Sequence, residues 1–181
     1  MKTQEMSIIK MVMSIKYYLN TFLLYAVIGF IIETLLKIFL YPSINNGILI
    51  GPWNPIYGFG AIIIVFITNY IRKTLKINKW IKRIITLIII MILLTVLEYL
   101  GGTLIEFFFD EKFWDYRNMR FNIGAFISLE MMLVWGGMSL LFTYLLKPVS
   151  DKLIKKIPIY ISISILIIIV VDLVATMLKA F

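Results

Sequence analysis

Five acidic side chains, Glu33, Glu98, Glu106, Glu130 and Asp172, fall inside or at the edges of long apolar runs, where an ionised carboxylate is expensive and tends to be functional. Carboxylates in such a setting attract a cation or carry a proton, hold a hard divalent ion such as Mg²⁺ or Mn²⁺, or serve as acid and base. Within one run Glu98, Gly102 and Glu106 recur at i, i+4 and i+8, which stacks two carboxylates on one helical face around a glycine gap. Gly101 and Gly102 would let a neighbouring helix or a ligand come close. The competing reading is that each acid bonds a serine, tyrosine or lysine of another helix and only fixes the bundle. That reading weighs most for Asp172, whose run carries few other polar groups.

Two segments between the runs carry further candidates. The stretch from Asn45 to Gly60 is uncharged and dense in glycine, proline and aromatics. Pro52 and Pro55 remove backbone donors and disfavour helix in the residues before them, so a re-entrant or packed segment is expected, with Asn54 and Tyr57 as its polar contributors. The stretch from Asp110 to Asn122 mixes both charge signs with rings. Here Trp114 and Tyr116 would hold Asp115 at the depth that aromatic rings prefer, while Arg117 or Arg120 binds an anion or neutralises an acid. Asn122 closes this segment. Together these residues could cap a cavity lined by the acids.

The elements that must position these groups follow from hydropathy. The 181 residues are 61% hydrophobic, mean hydropathy is +0.96, and the apolar residues come in runs long enough to cross a bilayer. Five spans are predicted at about Tyr17 to Leu40, Pro55 to Ile71, Ile84 to Phe109, Ile123 to Leu146 and Ile157 to Lys179. Lipid offers backbone groups no partner, and no alternating pattern capable of a closed barrel is present, so the spans are helices. The fold class is therefore all-α, a polytopic transmembrane bundle forming one integral membrane domain over residues 1–181. The start of the chain resembles a signal peptide without a small-residue cleavage site and is read as a retained first span. Met6 to Met13 could instead lie as a short interfacial helix.

Charge orients the bundle. The N-terminal segment and the second and fourth connections hold thirteen lysines and arginines, against four on the alternate side, with Lys37 inside the first span. The positive-inside rule then places the N-terminus in the cytoplasm and the C-terminus outside. All five acids consequently fall between the midplane and the outer surface. The net charge of +8 is explained by this topology rather than by nucleic acid. With no cysteine and no histidine, disulfides, thiolate or imidazole metal sites and serine–histidine triads are excluded.

Glu33, the run Gly51-Pro52-Trp53-Asn54-Pro55-Ile56-Tyr57-Gly58, Glu98-Tyr99, Trp114-Asp115-Tyr116, Asn122-Ile123-Gly124 and Trp135-Gly136 together resemble the putative ABC-transporter type IV family of small bacterial membrane proteins. The resemblance covers about Gly29 to Trp135 and leaves out the last span. It implies a transport role in the cytoplasmic membrane. Where the family carries arginine in the first outer segment, this chain has Asn46, which removes that arginine's pairing from the implied site.

The expected function is a permease-like component moving a small solute, with Glu33, Glu98 and Glu130 lining an outward-opening polar site. The chain has no glycine-rich phosphate loop, so an ABC-type role needs a separate cytoplasmic ATPase. Its short basic connections suit anionic lipid more simply than a docked partner. No cofactor is identified. A divalent cation enters only with the alternative of an outer-leaflet enzyme acting on lipid or cell-wall precursors, for which Glu98, Glu106 and Asp115 are the candidates. A third class is a sensor, immunity or assembly protein whose acids pair helices. The balance is against an enzyme, and a homo-oligomer stays open.

Overall fold

A computed structural model describes residues 2–39 and 48–180. Asn45, Asn46 and Gly47 of the expected first outer segment lie outside the described residues. Helices α1 (Lys2–Phe39), α2 (Pro55–Thr74), α3 (Lys79–Phe109), α4 (Leu129–Leu141), α5 (Lys147–Lys156) and α6 (Ile159–Ala180) are joined by a π-helical turn at Phe142–Leu146 and a hairpin of β1 (Asn122–Ile123) and β2 (Ile127–Ser128). Because the π turn runs α4 straight into α5, the chain has five helical segments long and apolar enough to cross a membrane.

Local chemistry sets the boundaries. Asn54 caps α2, its side chain accepting from the Ile56 amide at 3.4 Å, with Pro55 at the first helical position, where a missing N–H costs nothing. Asn78 caps α3 through the Trp80 amide at 2.8 Å, and α3 ends on Asp110, which adopts φ 53°, a left-handed conformation that aspartate tolerates. Ser128 caps α4 by accepting from the Met131 amide at 3.1 Å.

The fourth span is shifted relative to its expected bounds, starting at Leu129 rather than Ile123 and ending at Lys156 rather than Leu146. At its start, Gly124 takes φ 67° and turns the chain, so Ile123 pairs with Ile127 and Asn122 with Ser128. At its end, Pro148 would leave the carbonyl four residues earlier unbonded. The wider π turn absorbs this, with the Lys147 amide bonding Phe142 O. The lysines expected in a fourth connection therefore sit on α5. The opening residues are part of one continuous α1 rather than a separate interfacial helix.

The core is shared by four spans. Tyr25, Ala61, Ile64, Val65, Ile90, Leu94, Phe142 and Ile154 form one buried cluster. At the basic end a polar lock holds α5. Asn20 donates to Ile154 O at 2.8 Å and Ile157 O at 3.1 Å and accepts from Ser162, while Tyr17 donates to Asp151 at 2.8 Å. Burial of Asn20 and Ser162 is affordable because these bonds satisfy them.

Candidate functional site

At the opposite end residues 48–54 and the segment around Tyr116 and Phe126 fold into the bundle. The Asn54 amide bonds Ala26 O at 2.8 Å, which sets the start of α2 beside the middle of α1. Helix α1 then continues from Ala26 to Phe39, about 20 Å at 1.5 Å per residue. The segment leading into Asn54 is thus packed against the bundle, and its backbone donors need acceptors there. Asp172 of α6 supplies them, accepting from the Ile50 amide at 3.0 Å, the Gly51 amide at 2.9 Å and Trp53 Nε1 at 2.8 Å. Thr176 adds a longer bond at 3.3 Å.

Glu33, on α1, faces the first turn of α2. It accepts from Asn54 Nδ2 at 2.8 Å and from the Tyr57 hydroxyl at 3.0 Å. The Tyr57 ring can reach it because Gly29 leaves room, since a Cβ there would stand 2.2 Å from Tyr57 Cγ. On its other side Tyr57 meets Trp135 of α4 edge-on, with ring centroids 5.9 Å apart.

Trp135 leads to the second acid. Glu98, only 4% exposed, accepts from Trp135 Nε1 at 2.8 Å through one oxygen and from the Tyr116 hydroxyl through the other. Tyr116 comes from the connection between α3 and β1 and is buried. It is placed by its amide, which bonds Ala125 O at 2.8 Å. Burial, reinforced by the Glu98 carboxylate, pushes the Tyr116 phenol well above its ordinary range, so it remains a donor. Phe126, from the hairpin tip, seats on Gly102, where a Cβ would come within 2.5 Å of its ring. The glycine gap beside Glu98 is therefore filled by the hairpin.

Beside Glu98 lies a cavity of about 70 Å³ bordered by α1, α2, α3, α4 and the π turn. Glu98, Tyr57, Trp135, Tyr25 and Phe142 are among its walls. The structure thus gathers Glu33, Asn54, Tyr57, Glu98 and Tyr116 of the sequence candidates around one chain of contacts.

The sequence matches the family described as Putative ABC-transporter type IV over residues 20–180. The chain belongs to that family. The match includes the last span, which the resemblance carried by residues 29 to 135 had left out, and with the five apolar helices it identifies a multi-pass membrane protein of an ABC-transporter-related family. Neither a curated protein nor a solved structure matches the chain.

The remaining candidates lie apart from the cavity walls. Glu106 forms an ion pair with Lys112 at 2.8 Å on a half-exposed surface. Asp115 points outward and is gripped by the Arg117 guanidinium and amide, which hold its carboxyl down at about 2. Glu130 sits in the first turn of α4, where the helix dipole favours it, and accepts from the Phe121 amide at 3.2 Å. Its second oxygen is buried and has no hydrogen-bond partner among the described residues. Trp114 packs edge-on against Phe126 at 6.2 Å, and Asn122 closes the hairpin turn on Gly124 O at 3.0 Å. Among the described residues no three carboxylates gather into a metal-binding group.

Three participants were not singled out from sequence. Trp135 entered only through the family resemblance, and Tyr25 and Phe142 carry no signal in the sequence beyond an aromatic ring in an apolar run. The signal for Trp135 was a polar-tipped ring inside a span, where its N–H needs an acceptor.

Proposed function

We propose that this chain is a permease-like component of the cytoplasmic membrane and that Glu98, supported by Glu33, forms a site for a small cation or a proton in the outer half of the bilayer. The observation that carries this reading is Glu98 itself, a buried carboxylate that has two donors and still borders a cavity between spans. An acid serving only to pair helices would be covered by its partners. Each carboxylate oxygen keeps a free lone-pair direction after accepting one bond, so Glu98 can still face a positive charge. Glu33 is linked to the same wall through Tyr57.

Family membership supports a transport role. The absence of a phosphate-binding loop in the sequence assigns ATP hydrolysis, if it drives this system, to a separate cytoplasmic subunit. The enzymatic alternative has less support, because Glu106 and Asp115 are each committed to a cationic side chain.

Reconstitution into liposomes tests the reading. Flux of a small cation or of protons is expected in the wild type and is lost in Glu98→Gln. Unchanged flux in a correctly folded Glu98→Gln protein would remove the site.

A further inference from the structure

We infer that the cavity beside Glu98 is an aromatic cage for the head group of a small alkylated ammonium ion, which rests on the cation-site reading above and narrows it. Four rings, Tyr25, Tyr57, Trp135 and Phe142, border the cavity together with the Glu98 carboxylate. They come as two contacting pairs, Tyr25 with Phe142 at 4.5 Å and Tyr57 with Trp135 at 5.9 Å between centroids. Aromatic faces attract cations electrostatically, and the attraction grows where water is excluded.

The oxygen inventory selects the type of cation. The Tyr25 hydroxyl is paired with Ser150 Oγ at 2.6 Å, the Tyr57 hydroxyl donates to Glu33 at 3.0 Å, and Ser139 Oγ donates to Gly136 O at 2.7 Å; each still accepts, so these three oxygens and the two of Glu98 are the side-chain oxygen acceptors on the wall. Among the described residues Glu98 is the only carboxylate on the wall. A hard metal ion asks for about six or more oxygen ligands, and a bare ammonium for acceptors on every side, whereas most of the wall is apolar. An ion whose charge is shielded by methyl groups asks for neither. One carboxylate and four rings meet its needs.

Size narrows the class further. At roughly 10–15 Å³ for each water-sized centre, a cavity of about 70 Å³ takes a group of about five non-hydrogen atoms. Tetramethylammonium has that size, and tetrabutylammonium greatly exceeds it.

Calorimetric titration of the purified full-length protein in detergent, with Trp fluorescence read in parallel, tests the cage. Saturable binding of tetramethylammonium is expected, with no binding of tetrabutylammonium or Na⁺ at the same concentration and ionic strength. Phe142→Leu should weaken tetramethylammonium about tenfold, and Glu98→Gln at least as much, while Phe66→Leu on the exposed face of α2 leaves it unchanged. Melting curves establish that each variant is folded, and the wild-type ion series decides the matter even if the variants are not. Absence of saturable tetramethylammonium binding, equal binding of all three ions, or full affinity in folded Phe142→Leu would overturn the cage. Proton or Na⁺ flux in liposomes without tetramethylammonium binding would remove the cage and leave the transport reading standing. Binding without flux would do the reverse.

Discussion

Glu98 is held by one phenol and one indole from different parts of the chain, so its position depends on donors that a single atom change can remove. Tyr116→Phe keeps the ring that fills the space and deletes only the hydroxyl. A buried acceptor left short of a donor costs about 1–3 kcal/mol, so this variant should melt at a lower temperature while staying folded. Combining it with Glu98→Gln should cost less than the sum of the two single changes, because both act on one bonded network. Asp115, one residue earlier in the chain, behaves oppositely. Its exposed carboxyl is held at about 2 by Arg117, below the ordinary aspartate value. A depressed carboxylate contributes stability above its unfolded pKa, near 4, and loses that contribution as pH falls toward 2. The pair is exposed and therefore screened by salt. Asp115→Asn should lower the melting temperature only slightly at neutral pH, with the difference from wild type vanishing as pH falls toward 2, and a carbon-detected titration of Asp115 should show its midpoint below the ordinary aspartate value.

At the scale of elements, the segment before α2 shows why a buried acid need not be a ligand site. Asp172 takes two backbone amides and the Trp53 indole, which is what irregular backbone packed among spans requires. Replacing it with asparagine leaves one accepting oxygen and introduces a competing donor. Asp172→Asn should destabilise by about 2 kcal/mol, since bonds to a charged acceptor are worth roughly 1.5–3 kcal/mol, and hydrogen exchange at the Ile50 and Gly51 amides should accelerate while the Glu98 region stays protected. The spans themselves were legible in the sequence, because uninterrupted apolar runs leave lipid as the only consistent solvent. So was the packed character of the segment around Pro52 and Pro55. What pairs with what was not legible. Tyr116 meets Glu98 across a turn of loop, and Asp172 meets Ile50 and Gly51 from the far end of the chain, contacts that no local periodicity encodes. The hairpin and the π turn were missed for a related reason. Ile123 and Ile127 read as apolar span, and only the positive φ of Gly124 takes them out of it. Pro148 lies just past the expected end of the fourth span at Leu146, and the wider turn carries the helix through it to Lys156.

For the molecule as a whole, residues 48–54 and the segment around Tyr116 and Phe126 lie at the end opposite the polar lock of α5, and the cavity reaches from beneath them toward the π turn, so orientation decides which compartment the site faces. The charge asymmetry is large, with thirteen lysines and arginines on one side and four on the other, and short connections obey this bias most strongly. Five segments long and apolar enough to cross a membrane would carry residues 2 and 180 to opposite faces. Because the chain contains no cysteine, single introduced thiols report on topology without a background to remove. Lys76→Cys lies between α2 and α3, and Asn118→Cys lies in the exposed connection after α3. A membrane-impermeant maleimide added to intact cells should label Asn118→Cys and leave Lys76→Cys untouched until the membrane is opened. The reverse pattern would place Glu98, Glu33 and the cavity toward the cytoplasm. A cationic ligand would then enter from inside, and flux in liposomes would have to be measured with the ion gradient inverted.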